Sequence, residues 1–151
     1  MCEPPLLTPI GVVRSPLRKR ADAPRQGNEG APDAWILLDP SYADALQGIH
    51  AGDRLVLVTW LHEADRSVLQ VHPRDDESRP LTGVFATRSS DRPNPLGLHE
   101  VTVLGIDGLE LAVGPLEAID GTHRSSISRR CSEAPGRRSG PEQPAVPAAL
   151  A

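Results

Sequence analysis

The chain has 151 residues and a formal net charge of −4 at pH 7, which indicates one domain with a single core and excludes a surface that binds nucleic acid over its whole area. Two cysteines, Cys2 and Cys131, are too few for a disulfide framework and favour a reducing compartment. Because the sequence has neither a signal-peptide pattern nor an apolar run long enough to cross a bilayer, it predicts a cytoplasmic protein with no membrane partner.

Seven apolar stretches rich in β-branched residues predict strands. One short helix is expected after Asp39, because Asp39 can cap it, Pro40 suits its first turn, and apolar residues recur at helical spacing before Gly52. The Asp107-Gly108 pair between the last two strands is a strong signal for a β-hairpin. The predicted strands cover residues 10–14, 35–38, 54–61, 68–71, 83–86, 101–106 and 109–113.

Many short strands with little helix predict a mainly β, single-domain fold, a barrel or a sandwich, and argue against an alternating α/β fold. The absence of a glycine-rich dinucleotide fingerprint agrees with this. From Arg124 onward the chain is rich in Ser, Arg, Pro and Ala and has almost no apolar periodicity. The sequence therefore predicts a disordered C-terminal tail.

The densest group of polar side chains lies in GVFATRSSDRPNPLGL, residues 83–98. Each proline there restricts the residue before it, so Arg92 and Asn94 are expected in extended conformations and are candidates for substrate binding. Arg88 or Arg92 can bind a carboxylate or a phosphate bidentately. The alternative is that Arg88 and Asp91 only tie down a turn, and the spacing leaves both interpretations open.

The segment WLHEADR places His62 and Glu63 at the end of the best predicted strand. A general-base role is chemically open to either residue, and the alternative is a solvated strand end with ordinary surface charges. His72 and the carboxylates near it have no recognisable metal-ligand spacing, so no metal site is expected.

Five cations lie between residues 14 and 25 of this acidic chain, which makes that segment the candidate for contact with phosphates. Aromatic residues that could stack on bases are scarce. Of Trp35, Tyr42, Trp60 and Phe85, all but Tyr42 lie inside predicted strands. The sequence therefore does not predict a stacking platform for single-stranded nucleic acid.

Five segments, in order between residues 10 and 122, resemble the TrmO/TsaA-like family of S-adenosylmethionine-dependent transfer RNA methyltransferases. The resemblance rests on all five together and covers about three quarters of the chain. The segments read IGVVRSP, APRQG, WLHEADR, GVFATRSSDRPNPLGL and LEAIDGT.

The resemblance implies a β-barrel-like fold and a homodimer that holds S-adenosylmethionine close to the subunit interface. It implies direct methyl transfer to N6 of threonylcarbamoyladenosine beside the tRNA anticodon, for which the protein aligns N6 and helps its proton leave. The residue that accepts this proton is unassigned. The implied cofactor contacts are Pro24, Arg25, Gln26, His62, Glu63, Arg88, Leu98, Asp120, Gly121 and Thr122.

The chain departs from the family pattern at Asp75, where a glycine is expected, in its LHEADR form, and after Thr122. Where the family continues in a pattern like PVVDIKPVL, residues 123–132 read HRSSISRRCS. One choice of codons for these residues, read two bases further on, encodes PVVDITPVL. The hypothesis is a reading-frame slip, with a methyltransferase domain over residues 1–122 and an aberrant, disordered tail over residues 123–151 that impairs this copy.

Two alternatives remain open beside the tRNA methyltransferase. One is a non-catalytic β-barrel that binds S-adenosylmethionine or RNA, which the altered tail favours. The other is a methyltransferase of the same fold that acts on a different substrate, which the acidic composition favours.

Overall fold

Eight strands lie within residues 6–129, the part of the chain that a computed structural model describes. Six of them close into an antiparallel barrel in the order β1-β2-β7-β6-β3-β8, and β4 pairs with β5. The predicted mainly β, barrel-like fold is therefore confirmed. The strands are β1 (Gly11–Arg14), β2 (Ala34–Leu38), β3 (Arg54–Trp60), β4 (Gln70–Val71), β5 (Thr82–Gly83), β6 (Leu96–Asp107), β7 (Glu110–Gly114) and β8 (His123–Arg129).

The hydrophobic core fills the barrel interior, because alternate side chains of each strand point to opposite faces of the sheet. In β3, the buried residues Leu55, Leu57 and Thr59 alternate with partly exposed ones. The longest strand, β6, extends this alternation to five residues before the predicted start of that strand. The fully buried apolar side chains are Val13, Ile36, Leu55, Leu57, Val84, Val103, Leu111, Val113 and Leu116.

The longest described helix covers Pro40–Leu46 and has 3-10 geometry. Asp39 caps it, since its carboxylate accepts a hydrogen bond from the backbone N–H of Ser41 at 2.9 Å. The predicted short helix and its cap are thus confirmed. No helix within residues 6–129 is long and apolar enough to cross a membrane. Shorter 3-10 helices cover Arg20–Asp22, Gly27–Glu29, Pro73–Asp75 and Val84–Ala86.

The predicted strand at residues 83–86 is wrong beyond Gly83, where β5 ends and the Val84–Ala86 helix begins. The physical reason lies at the carbonyl of Val84. It accepts hydrogen bonds from the hydroxyl of Thr87 at 3.0 Å and from the guanidinium of Arg92 at 2.7 Å. A backbone group used in this way does not take part in a strand ladder. The hairpin predicted at Asp107-Gly108 is present, with Asp107 paired to Glu110.

Residues 123–129, assigned to the tail from the sequence, form β8 and close the barrel between β1 and β3. Strand pairing uses backbone groups, so a chain without apolar alternation can still complete a ladder. The pairing contains one irregularity, between Val58 and Thr59 of β3. Ile127 lies opposite Leu57 and packs against the core. The expected disorder of the remaining tail, residues 130–151, falls outside the described residues.

Candidate functional site

Three connections of the barrel lie at one end. In the antiparallel barrel, β1, β3 and β7 run toward this end, while β2, β6 and β8 start from it. The connections are residues 15–33, 61–95 and 115–122. Every predicted cofactor-binding residue except Leu98 lies in one of them, so the barrel topology brings distant sequence segments to one end of the molecule.

Asp91 joins the first two connections. Its carboxylate receives a bidentate pair of hydrogen bonds from Arg20, at 2.8 and 2.7 Å, and one from the backbone N–H of Asp65 at 2.8 Å. Arg20 also donates to the hydroxyl of Ser90 at 2.8 Å. The interpretation that Arg88 and Asp91 tie down a turn is therefore wrong in its pairing, because Asp91 binds Arg20 and the backbone of Asp65 instead.

Two more carboxylates, those of Asp75 and Glu63, lie close enough to Arg20 to affect its pKa. The hydrogen bond to Asp91 is the main cause that raises the pKa of Arg20, and the negative charges of Asp91, Asp75 and Glu63 add to it. In return, the hydrogen bond from Arg20 is the main cause that lowers the pKa of Asp91. Glu63, from the WLHEADR segment, thus lies within electrostatic range of the Arg20–Asp91 pair.

Arg25 forms an ion pair with Asp75 at 2.8 Å, and this pair links the APRQG segment to the Pro73–Asp75 helix. Arg74 and Asp75 have positive φ angles of 60° and 56°, in the left-handed region that glycine adopts most easily. The expectation that Asp75 alters a turn where the family has glycine is consistent with this backbone. An aspartate tolerates the conformation better than most residues and adds a partner for Arg25.

Three predicted cofactor residues keep charged or polar groups available to a ligand. His62, Glu63 and Arg88 are exposed, and none of them makes a hydrogen bond to another residue of the described chain. Pro24 is half-buried and Gln26 exposed.

Arg92 and Asn94, the predicted substrate-binding residues, have clear local roles. The guanidinium of Arg92 donates to the carbonyls of Ser89, Val84 and Thr87 at 2.8, 2.7 and 2.5 Å. These contacts hold the loop in shape, and a role of Arg92 toward substrate stays a prediction. The expected extended conformation of Asn94 is wrong. Its φ is 51°, because asparagine tolerates the left-handed region even before proline.

Asp120, Gly121 and Thr122 lie against the end of β1. The carboxylate of Asp120 accepts from the backbone N–H of Ser15 at 3.0 Å and from Arg18 at 2.6 Å. Thr122 is buried, with its hydroxyl donating to the carbonyl of Ile119 at 2.7 Å. Gly121 has a φ of 79°, a conformation that suits glycine. Asp120 and Gly121 line a groove, whereas the side chain of Thr122 is buried.

Leu98 lies apart from the loops, on the outer face of β6. It pairs with Val58 of β3, and its side chain is 68% exposed. Leu96, two residues earlier on the same face, is 41% exposed. These two leucines place neighbouring apolar side chains on the outer face of the barrel.

A buried polar chain inside this end of the barrel was missed by the sequence analysis. Nδ1 of His99 lies 2.7 Å from a carboxylate oxygen of Glu117, and Nε2 lies 2.8 Å from the hydroxyl of Thr59. Glu117 in turn lies against Gly27, the residue after the APRQ sequence, where an added Cβ would be 3.1 Å from its carboxylate. Extending the alternation of β6 backward from Val101 would have placed His99 inside the barrel.

His72, the other histidine near carboxylates, pairs through Nδ1 with the carbonyl of Arg79 at 2.8 Å. Residues 6–129 contain no group of three or more His, Cys, Asp and Glu side chains that could hold a metal ion. The charged groups at this end of the barrel are instead arginines and carboxylates, which suit a zwitterionic or phosphorylated ligand.

Comparison with known proteins agrees with this architecture. A protein of Methanothermobacter thermautotrophicus described as a probable S-adenosyl-L-methionine-binding protein is 43% identical over 116 residues, which cover 77% of this chain and 82% of that one. An S-adenosyl-L-methionine-binding protein of Archaeoglobus fulgidus is 41% identical over 129 residues, covering 85% and 91%. The crystal structure of TrmO from P. aeruginosa superposes with a TM-score of 0.69 at 26% identity, covering 92% of this chain but only 62% of that one.

The fold and the site together define a small antiparallel β-barrel. Arginines and carboxylates lie at the end of the barrel that carries the connections 15–33, 61–95 and 115–122. The model of the tRNA-methyltransferase O N-terminal domain matches residues 12–125, which is most of the described chain. The chain belongs to the tRNA-methyltransferase O N-terminal domain family, as its five sequence segments predicted.

Proposed function

We propose that this chain is an S-adenosylmethionine-dependent methyltransferase that acts on N6 of threonylcarbamoyladenosine next to the anticodon of tRNA. The family and the S-adenosyl-L-methionine-binding relatives support the cofactor and the reaction class. The substrate rests on the family resemblance. The observation that carries the proposal is the convergence of the APRQG, WLHEADR and Arg88 segments around the Arg20–Asp91 pair.

The residues at this end fit the groups of S-adenosylmethionine. Arg88 has no ion-pair partner within residues 6–129 and is exposed, so its guanidinium is available to a carboxylate. Arg25, held beside this cluster by Asp75, is a second donor. Glu63 and Asp120 are acceptors suited to an amino group or to ribose hydroxyls.

S-adenosylmethionine would supply a methyl group already activated by the sulfonium. The chain itself would then position the methyl group against the acceptor nitrogen and exclude water. The Arg20–Asp91 pair fixes the loops relative to one another, and preset geometry raises the rate of a transfer between two bound reactants. His62 and Glu63, exposed at the end of β3, are candidates for a proton acceptor on these segments.

A homodimer is part of this proposal. Leu96 and Leu98 present an apolar stripe on the outer face of the barrel, beside Val58 on β3. If a second copy covers this stripe, Leu98 lies at the subunit interface, which is consistent with its assignment as a cofactor contact. Sedimentation analysis of Leu98→Glu beside the unchanged protein tests this. A monomeric variant and a dimeric parent support the proposal, and a monomeric parent contradicts it.

The altered C-terminal segment is also part of the proposal: residues after Thr122 are an out-of-frame translation, and the protein spans a family domain whose final strand has changed sequence. Ile127 is encoded in both frames, which is consistent with its retained packing opposite Leu57. The coding DNA tests the idea directly. A sequence that cannot be read as PVVDITPVL two bases further on removes it.

The experiment that tests the function is calorimetric titration with S-adenosylmethionine, followed by transfer of labelled methyl groups to tRNA bearing threonylcarbamoyladenosine. A variant rebuilt with PVVDITPVL at residues 123–131 is the matched comparison. Binding and transfer by both proteins support the proposal, and transfer only by the rebuilt variant identifies this copy as impaired. Binding without transfer by either favours a non-catalytic binding protein or a different substrate, and the absence of binding in both contradicts the proposal.

A further inference from the structure

Trp35 occupies an outward position on β2. Its neighbours Ala34 and Ile36 are buried in the barrel, whereas the indole is 48% exposed. A position inside a strand does not prevent this indole from stacking, because alternate side chains of a barrel strand point outward.

Arg14 lies directly opposite Trp35 in the pairing of β1 with β2. Side chains that face each other across an antiparallel pair have Cβ atoms about 4.5–5.5 Å apart, so the guanidinium can reach the vicinity of the indole. The side chain of Arg14 is exposed and has no hydrogen bond or ion pair to any residue that the structure describes. An indole and an unpaired guanidinium therefore occupy directly opposite positions on β1 and β2.

These two residues line a groove of about 750 Å³ that continues to Asp120 and Gly121, which is within the range of sites for small ligands. Arg18, ion-paired with Asp120 at 2.6 Å, supplies a second cation on the same groove. Asp33 lies at the groove as well and is exposed. Val12, Pro16 and the backbone of Gly121 complete its surface.

The combination matches the chemistry of one nucleotide. A planar base stacks on an indole without regard to its identity, a phosphate accepts from arginines, and a carboxylate such as Asp33 accepts from an exocyclic amino group. A subunit interface would instead be expected to be depleted of charge at its centre, whereas Arg14, Arg18 and Asp33 surround this indole.

We propose that the groove binds one unpaired nucleotide of an RNA strand, with its base stacked on Trp35 and its phosphate on Arg14 and Arg18. The inference rests on the proposed function, because RNA is the substrate class there, and it adds the surface on which that RNA lies. The groove ends at Asp120 and Gly121, so a nucleotide bound there is a neighbour of the proposed cofactor contacts.

The first measurement uses tryptophan fluorescence. The chain has two tryptophans, so Trp60→Phe leaves Trp35 as the only one. Titration of this variant with a short single-stranded oligoribonucleotide is expected to quench its fluorescence, because a base stacked on the indole quenches emission. Inorganic phosphate is the control and is expected to leave the emission unchanged.

The second measurement compares affinities for the same oligonucleotide in an otherwise unchanged chain. Trp35→Ala is expected to weaken binding of the oligonucleotide about tenfold. Arg14→Ala is expected to weaken binding and to reduce the slope of log affinity against log salt concentration by about one. Ile106→Ala, which truncates another partly exposed apolar residue, near the β6–β7 hairpin, is the matched control and is expected to bind normally. Calorimetry with S-adenosylmethionine is expected to be unchanged in Trp35→Ala.

The outcomes separate this inference from the function on which it rests. Quenching and weakened binding without methyl transfer to any RNA would support the groove and contradict the methyltransferase. Methyl transfer with neither quenching nor a loss of affinity in Trp35→Ala would overturn the groove alone. A change of oligomeric state in Trp35→Ala, seen by sedimentation, would overturn it in favour of a subunit interface. If Trp35→Ala does not fold, the fluorescence titration of Trp60→Phe tests the groove by itself, and the absence of quenching would overturn it.

Discussion

Arg20 and Asp91 lie 71 positions apart in the chain and form a bidentate ion pair, with nitrogen–oxygen distances of 2.8 and 2.7 Å. The backbone N–H of Asp65 binds the same carboxylate at 2.8 Å. One side chain thus fixes the loop after β1, the loop after β3 and the loop before β6. Because these loops carry Arg25, Glu63 and Arg88, the pair determines how the proposed cofactor contacts are placed.

Asp91→Asn is expected to lower the affinity for S-adenosylmethionine several-fold while costing about 1 kcal/mol of stability. Because solvent screens this half-exposed pair, its contribution to the free energy of unfolding is near the upper limit for surface ion pairs and does not exceed it. Calorimetric titration and urea unfolding measure the two effects. Asp39→Ala is the control, since Asp39 caps the helix at the opposite end of the barrel and alanine removes the cap. It is expected to lower stability without changing cofactor affinity, and equal affinities in both variants would contradict the positioning role of Asp91.

The same pair predicts a loss of stability in acid. The hydrogen bond from Arg20 lowers the pKa of Asp91 below its ordinary value, so the folded state binds this proton less readily than the unfolded chain does. The resulting stability is present above the unfolded pKa, about 3.9, and is lost as the pH falls through the lower folded pKa. Melting temperatures measured from pH 6 to pH 2 are expected to fall less steeply below about pH 4 in Asp91→Asn. Parallel curves for the two proteins would show that the pair does not contribute.

Asp75→Asn is expected to increase the affinity for S-adenosylmethionine about two- to fivefold, the range that corresponds to an exposed ion pair. The substitution releases Arg25 from its pair with Asp75, and asparagine keeps the tolerance for a positive φ that this position requires. Glu29→Gln, which removes the neighbouring pair with Arg74, is the control and is expected to have no effect on titration. A weaker cofactor affinity in Asp75→Asn would mean that the Arg25–Asp75 pair itself holds the binding conformation.

Two glycines of β6 give a test of the buried polar chain. A Cβ on Gly97 would lie 2.6 Å from both Nε2 of His99 and the hydroxyl of Thr59, whereas a Cβ on Gly105 meets nothing within 4 Å. Gly97→Ala is therefore expected to destabilise the protein by about 1–3 kcal/mol through overpacking. Gly105→Ala is expected to be neutral or slightly stabilising. Urea unfolding measures the stability of the two variants. Equal stabilities would show that the His99 contacts rearrange without a loss of stability.

The sequence by itself determined the features that depend on neighbouring residues. Alternating apolar residues placed most of the strands, Asp39 and Pro40 placed the helix start, and Asp107-Gly108 placed the hairpin. In each case the interaction that selects the conformation lies within a few residues, so a local pattern is sufficient to predict it.

Tertiary structure decided which side chains meet and which remain exposed. Arg92 binds backbone carbonyls and Arg20 replaces Arg88 as the partner of Asp91, because closing the barrel brings separate loops to one end. β8 forms from a segment without apolar alternation because its backbone completes the ladder between β1 and β3. Trp35 is exposed while His99 is buried, since the sheet register sets which face each side chain occupies. These outcomes depend on contacts between residues distant in the chain, which no local pattern specifies.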